Sequence, residues 1–149
     1  MKKIILTSED IERRLIDKLK KNNLKLTRQR LAIVEVLSND RSHSSARAIF
    51  EKVRQKVPSV SLSTVYFTLN LFKNEGAVKE LEFYDMGNRY ESDVTDHLDL
   101  ICLRCGRIVN YDEPIPMLKE QVEKKTGFIT NRMRYEYYGY CKECRQKKG

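Results

Sequence analysis

No stretch of this chain approaches the roughly 20 consecutive apolar residues that a membrane-spanning helix needs. Met1-Lys2-Lys3-Ile4-Ile5-Leu6 resembles the start of a secretory leader, but Thr7-Ser8-Glu9-Asp10 ends the apolar run at once. A cytoplasmic protein is expected. There is no Gly-rich phosphate loop and no Ser/His/Asp or Cys/His nucleophile set, so an enzyme is not expected. Repeats and low-complexity tracts are absent. Tryptophan is missing too, yet the apolar residues recur periodically, which fits a globular chain rather than a disordered one. Histidine is scarce, with His43 and His97 the only two.

Cysteine is equally scarce and tightly placed. The four cysteines form two C-x-x-C pairs, Cys102/Cys105 and Cys141/Cys144. In a reducing compartment such pairs favour metal over disulfides. Two knuckles fill a tetrahedral shell and leave no position for water, so a structural rather than catalytic Zn²⁺ is expected. A redox dithiol is the competing reading, and the second pair weakens it.

Charge is uneven. Residues 1–90 hold 18 Lys+Arg against 11 Asp+Glu, a balance of +7; residues 91–149 hold 11 against 10, or +1. A basic first part points to a polyanion, and nucleic acid is the natural one. A merely solvated basic face is the bland alternative.

Helical signals fill that first part. Thr7-Ser8-Glu9-Asp10 starts a helix carrying Ile11, Leu15 and Leu19, which Asn22-Asn23 ends. Thr27 starts a second with Ile33, Val34 and Leu37 inward. Ser44 or Ser45 caps a third, stopped by Pro58. The fourth runs from Ser61 to Glu75 with Leu62, Val65, Leu69 and Phe72 as its apolar stripe and Gly76 behind it. Residues 77–84 then turn to a period of two. Asp85-Met86-Gly87-Asn88 is turn chemistry, and Arg89-Tyr90-Glu91 returns. This is the plan of a winged helix-turn-helix; an ordinary small helical bundle is the alternative. Ser63, Thr64, Phe67 and Thr68 are expected on the outward face of the fourth helix, with Arg28, Arg30 and Arg47 free for phosphates.

The second part mixes short strands with one helix. Leu98–Leu103 and Arg107–Tyr111 read as strands, Met117 to Thr126 as a helix, and Arg132–Tyr138 as a strand with Met133, Tyr135 and Tyr137 on one face. The expected division is residues 1–90 and 91–149. On a strand His97 and Asp99 share a face. With Glu91 nearby they suggest a mixed N/O site suited to Fe²⁺, Mn²⁺ or Zn²⁺.

The stretches Leu26-Thr27-Arg28-Gln29-Arg30, His43-Ser44-Ser45-Ala46, Ser61 to Asn70, Arg89-Tyr90-Glu91, Asp96 to Val109 and Tyr138 to Cys144 resemble, in order, the ferric uptake regulator family. The resemblance covers nearly the whole chain. It implies an α+β protein: an N-terminal winged-helix DNA-binding domain and a C-terminal α/β dimerisation domain with a structural four-cysteine zinc. It also implies a homodimeric, metal-responsive repressor acting on a palindromic DNA operator, and the peroxide-sensing subfamily falls within it. Carried over, the regulatory metal ligands are His43, Glu91, His97, Asp99 and Asn110, and DNA contacts include Tyr66. Asp99 stands where a histidine is usual, and Asn110, the weakest ligand, where a carboxylate is usual. The harder set leans towards Fe²⁺ or Mn²⁺ over Zn²⁺. The family's further histidine-rich site has no histidines left here. Phe67 stands where arginine or asparagine is common; it touches only a thymine methyl or packs, so the operator is expected to differ at that base. A member that has lost metal sensing, binding DNA as a zinc-scaffolded dimer, is the second reading; a C-x-x-C thiol oxidoreductase is the third.

Overall fold

Thr7 begins the first helix by a reciprocal cap: its hydroxyl accepts from the Asp10 N–H at 3.1 Å, and the Asp10 carboxylate accepts from the Thr7 N–H at 3.0 Å. A computed structural model describes residues 5–83, 86–112, 118–131 and 133–147. The chain divides into two compact units after Val94.

The N-terminal unit, Ile5–Val94, holds four helices, α1 (Ser8–Lys21), α2 (Arg28–Asn39), α3 (Ala46–Lys56) and α4 (Leu62–Asn74). Thr27, Ser45 and Ser61 cap the last three through their hydroxyls, the caps that the sequence signals mark. Ile11, Leu15, Leu19, Ile33, Ile49, Val53, Val65, Leu69 and Phe72 are fully buried in one core. Gly76, at φ +68°, ends α4 in the left-handed region. An antiparallel pair follows, β1 (Lys79–Leu81) and β2 (Arg89–Glu91). It is shorter than the alternation over 77–84 suggests. Ala77 and Val78 instead bond back to the Phe72 carbonyl and join the core. Tyr84 and Asp85, part of the expected strand and turn, lie outside the described residues.

Glu80 on β1 is the polar anchor of this pair. Its carboxylate accepts from Asn88 at 2.8 Å and from the Tyr90 hydroxyl at 3.0 Å, and pairs with Lys73 of α4. Burial pushes its carboxyl up, but the bonds from Lys73, Asn88 and Tyr90 outweigh it and hold the group below its ordinary value of 4.5. A depressed native value stabilises the fold above the unfolded value and loses that contribution as pH falls through the native one. Helical signal should therefore become more easily lost to urea between about pH 5 and about pH 3. Glu80→Ala should cost about 2 kcal/mol near neutrality and flatten that dependence. An unchanged pH slope in the variant would exclude Glu80 as a source.

The C-terminal unit, described from Thr95, holds β3 (Leu98–Cys102), β4 (Ile108–Tyr111), α5 (Lys119–Thr126), β5 (Tyr135–Gly139) and α6 (Lys142–Gln146). Its sheet has the order β4-β3-β5, with β3 antiparallel to β4 and parallel to β5, so the chain crosses over through α5. Gly127 at φ +71° closes α5, as its position after Thr126 suggests. Met117 and Arg132, where the helix and last strand were expected to begin, lie outside the described residues. Tyr137 and Tyr138, on opposite faces of β5, are both exposed on the single chain. Among its described residues the unit buries little apolar surface in the single chain, chiefly Ile101, Cys102, Ile108 and Cys144, and α5 buries nothing. A unit of this size with so small a core needs a staple.

Candidate metal centres

The staple is built where β3 and β5 end. Cys102 closes β3, and Gly106 at φ +71° turns the chain so that its N–H bonds the Cys102 carbonyl at 2.9 Å. The parallel partner β5 delivers the second knuckle: the Leu103 N–H bonds the Gly139 carbonyl at 2.8 Å, and the Cys141 N–H points at Cys102 Sγ at 3.4 Å. Cys141 is the N-cap of α6, whose first turn brings round Cys144. The four sulfurs lie within 4.8 Å of one another, and no disulfide forms. A tetrahedron with bonds of about 2.3 Å has sulfur–sulfur edges of about 3.8 Å. Cys105 and Cys141 stand 3.9 Å apart.

Backbone N–H groups of Cys105 and Cys141 pull the Cys102 thiol down to about 6, favouring a thiolate there. Sharing a proton with Cys141 and burial push Cys144 up to about 12. Four thiolates so close repel one another, and a divalent cation relieves what the backbone alone does not. The donor set and its spacing fit Zn²⁺.

Two further pairs each join a histidine to a carboxylate. In the N-terminal unit, His43 Nε2 lies 3.1 Å from Glu91 Oε1, and both residues are buried. His43 sits in the turn between α2 and α3 with φ +54°, a left-handed conformation that costs an L-residue about 1–2 kcal/mol. Glu91 ends β2. In the C-terminal unit, His97 Nε2 lies 3.0 Å from Asp99 Oδ1. His97 Nδ1 stands 2.8 Å from the Thr95 carbonyl, which only accepts, so that nitrogen carries a proton. Nε2 then faces a carboxylate oxygen, and a second proton or a cation is needed between two lone pairs. Asp99 pairs across the sheet with Asn110 on β4 and Glu136 on β5, a row of oxygen donors.

The outward face of α4 carries Ser63 and, prominently, Tyr66 and Phe67, at 44% and 55% exposure. Thr64 is half-buried, with its hydroxyl 2.8 Å from that of Ser61. Thr68 corrects the sequence expectation. It is fully buried, with its hydroxyl donating to the Thr64 carbonyl at 2.8 Å, and it does not face outward. Residues 65, 68, 69 and 72 form one helical stripe, so position 68 belongs with the core. Arg28 is exposed, as is Arg47; Arg30 is half-buried and donates to the Lys25 carbonyl at 2.8 Å.

The model of the ferric uptake regulator family matches residues 21–138. The chain belongs to the ferric uptake regulator family. It is 36% identical to the peroxide operon regulator of Bacillus subtilis, over 89% of this chain and 92% of that protein. It is 35% identical to the peroxide-responsive repressor PerR of Staphylococcus epidermidis, over 89% of each. Its fold matches the ferric uptake regulator Fur of Helicobacter pylori, with a TM-score of 0.79 and 34% identity over 99% of both chains; that structure is described as having three functional metal-binding sites. The Campylobacter jejuni peroxide stress regulator matches with a TM-score of 0.68 and 29% identity, over 87% of this chain and 98% of that one. These relatives are metal-responsive or peroxide-responsive transcription regulators.

Within this family fold, three supporting residues escaped the sequence reading. Arg14 of α1 donates to the carbonyls of Ala77 at 3.0 Å and Ser92 at 2.5 Å. The Ser92 hydroxyl donates to the Leu37 carbonyl at 2.8 Å. Together they pin the chain just after Glu91. Arg14 falls three residues after Ile11, on the inward side of α1, which was the signal available. The third is Arg104, inside the first cysteine knuckle. Its guanidinium donates to the Cys144 and Lys147 carbonyls, both at 2.8 Å, and holds α6 against the site.

Proposed function

We propose that this protein is a metal-dependent transcriptional repressor that binds a palindromic DNA operator as a homodimer in the cytoplasm. Zn²⁺ on Cys102, Cys105, Cys141 and Cys144 is structural. Fe²⁺ or Mn²⁺ is the regulatory ion, held by His43, Glu91, His97 and Asp99, with Asn110 the weakest donor. The two buried histidine–carboxylate pairs carry this reading. Two imidazoles and two carboxylates form a mixed, rather hard donor set, suited to Fe²⁺ or Mn²⁺. When bound, the ion supplies positive charge that these donors share.

His43 and Glu91 belong to the DNA-binding unit, and His97 and Asp99 to the dimerisation unit. Operator binding by the two α4 helices of the dimer would follow the occupancy of these four donors. Tyr66, Phe67 and Ser63 then meet bases, while Arg28 and Arg30 meet phosphates. The exposed Tyr137, Phe128 and Ile129 support the dimer, since an apolar surface of that kind in so small a unit calls for a partner.

Operator binding by the zinc-loaded protein, titrated without oxygen with Fe²⁺ or Mn²⁺ at about 0.15 M salt, tests this. Affinity should rise at least about tenfold, a typical coupling. His97→Ala should remove the rise while zinc stays at one per chain. Operator binding that ignores the second metal would establish the alternative, a zinc-scaffolded dimer without metal sensing. The identity to peroxide-responsive repressors favours peroxide as the signal. In the same assay peroxide should release the operator from the Fe²⁺ form and not from the Mn²⁺ form. Release without oxygen added to His43 or His97, read by mass spectrometry, would sink that signal.

A further inference from the structure

We propose that Asp40 is a positioning residue for the regulatory metal: it holds His43 in its left-handed conformation and sets its spacing to Glu91. The proposal rests on His43 being a ligand.

Asp40 directly follows α2 as its C-cap. A carboxylate at a helix C-terminus opposes the helix dipole, so the position is unfavourable for α2 itself. The side chain bonds forward instead. Oδ1 accepts from the Ser42 N–H at 2.8 Å and from the Ser42 hydroxyl at 2.5 Å. Oδ2 accepts from the Ser44 hydroxyl at 2.5 Å and from Lys52 of α3 at 3.2 Å. One carboxylate thus grips the residues on both sides of His43. Between them, His43 takes φ +54° with no glycine to ease the turn. Lys52 also reaches the Ser44 hydroxyl at 3.3 Å, tying the grip to α3.

The grip extends to the second ligand. The Ser44 carbonyl accepts the Tyr90 N–H at 2.9 Å, and Ser44 and Tyr90 form an isolated bridge beside β2. Tyr90 immediately precedes Glu91. The path Asp40–Ser44–Tyr90 therefore carries the placement of the His43 turn to the Glu91 strand, all within one unit. Residues that orient metal ligands are the usual way a site is preorganised before the ion arrives.

The test uses the zinc-loaded, full-length protein and Mn²⁺ as probe. Asp40→Asn removes the charge and half the acceptors while keeping the shape. It should weaken Mn²⁺ binding about 10–100-fold, the usual effect of losing a residue that orients a ligand. Zinc content should not change. On a His43→Ala background the same substitution should weaken binding no further, because its effect passes through His43. Backbone chemical shifts of the Mn²⁺-free variant should show His43 leaving the left-handed region. Ser44→Ala serves as a second variant if Asp40→Asn folds poorly, with the same outcome expected at smaller size. Mn²⁺ affinity within about twofold of the parent, or the full loss repeated on the His43→Ala background, would overturn the proposal. Failure of the parent itself to bind Mn²⁺ or Fe²⁺ would instead overturn the regulatory site, and the shifts of His43 would still decide what Asp40 holds.

Discussion

Cys144→Ser should strip the zinc and unfold the unit from Thr95 onward, while the helices of Ile5–Val94 keep their structure. The reason is the distribution of the core. The N-terminal unit buries a continuous cluster from α1 to β2. Among its described residues the C-terminal unit buries, of apolar side chains and cysteines, Ile101, Ile108, Cys102 and Cys144. Zinc on four thiolates contributes about 10–16 kcal/mol in small domains, far more than such a core supplies. It also joins the ends of β3 and β5, the parallel pair whose crossover is entropically costly to close. Arg104 holds α6 without metal, but two hydrogen bonds from its guanidinium to carbonyls are worth only about 3–6 kcal/mol together. The measurement is zinc content together with an amide-resolved NMR spectrum. Loss of dispersion confined to residues after Val94 is the expected result. Stoichiometric zinc with an unchanged spectrum would show that three cysteines suffice and that the staple is not what holds the unit.

Dimerisation should be lost with it. Tyr137, Tyr138, Phe128 and Ile129 are exposed on the single chain. An interface built on them needs a folded sheet beneath it.

The helices were legible because each announces itself twice, by a hydroxyl cap and by an apolar stripe. Thr27, Ser45 and Ser61 were each found at the cap. The cysteine knuckles were legible from spacing alone. Thr68 was misplaced because its polarity outweighed its position. A threonine hydroxyl satisfied by the carbonyl four residues back is as content in a core as valine. On β5, alternation marks two faces but not which of them a single chain covers. α6 was missed because its five residues are too few for any periodicity. The Asp40 network was invisible for a deeper reason. Asp40, Ser42 and Ser44 read as an ordinary polar turn, and only the left-handed φ of His43 gives that turn a purpose.

That φ also separates stability from function. His43→Asn should leave the N-terminal unit as stable as the parent or more so by about 1 kcal/mol, because asparagine takes the left-handed region more readily. The same change should weaken Mn²⁺ or Fe²⁺ binding by at least about a hundredfold, since even residues that merely orient ligands reach that figure. The amide offers a neutral oxygen where the imidazole offers a nitrogen. Operator binding should then no longer follow the second metal, while zinc stays at one per chain. Backbone strain kept at a functional position is expected where the side chain it presents is worth more to function than the strain costs the fold. Urea unfolding and metal titration of one variant separate the two effects. A clear drop in stability would show that His43 is held for packing. An intact metal response would show that it is not a ligand. Unchanged or higher stability together with a lost response is the expected outcome.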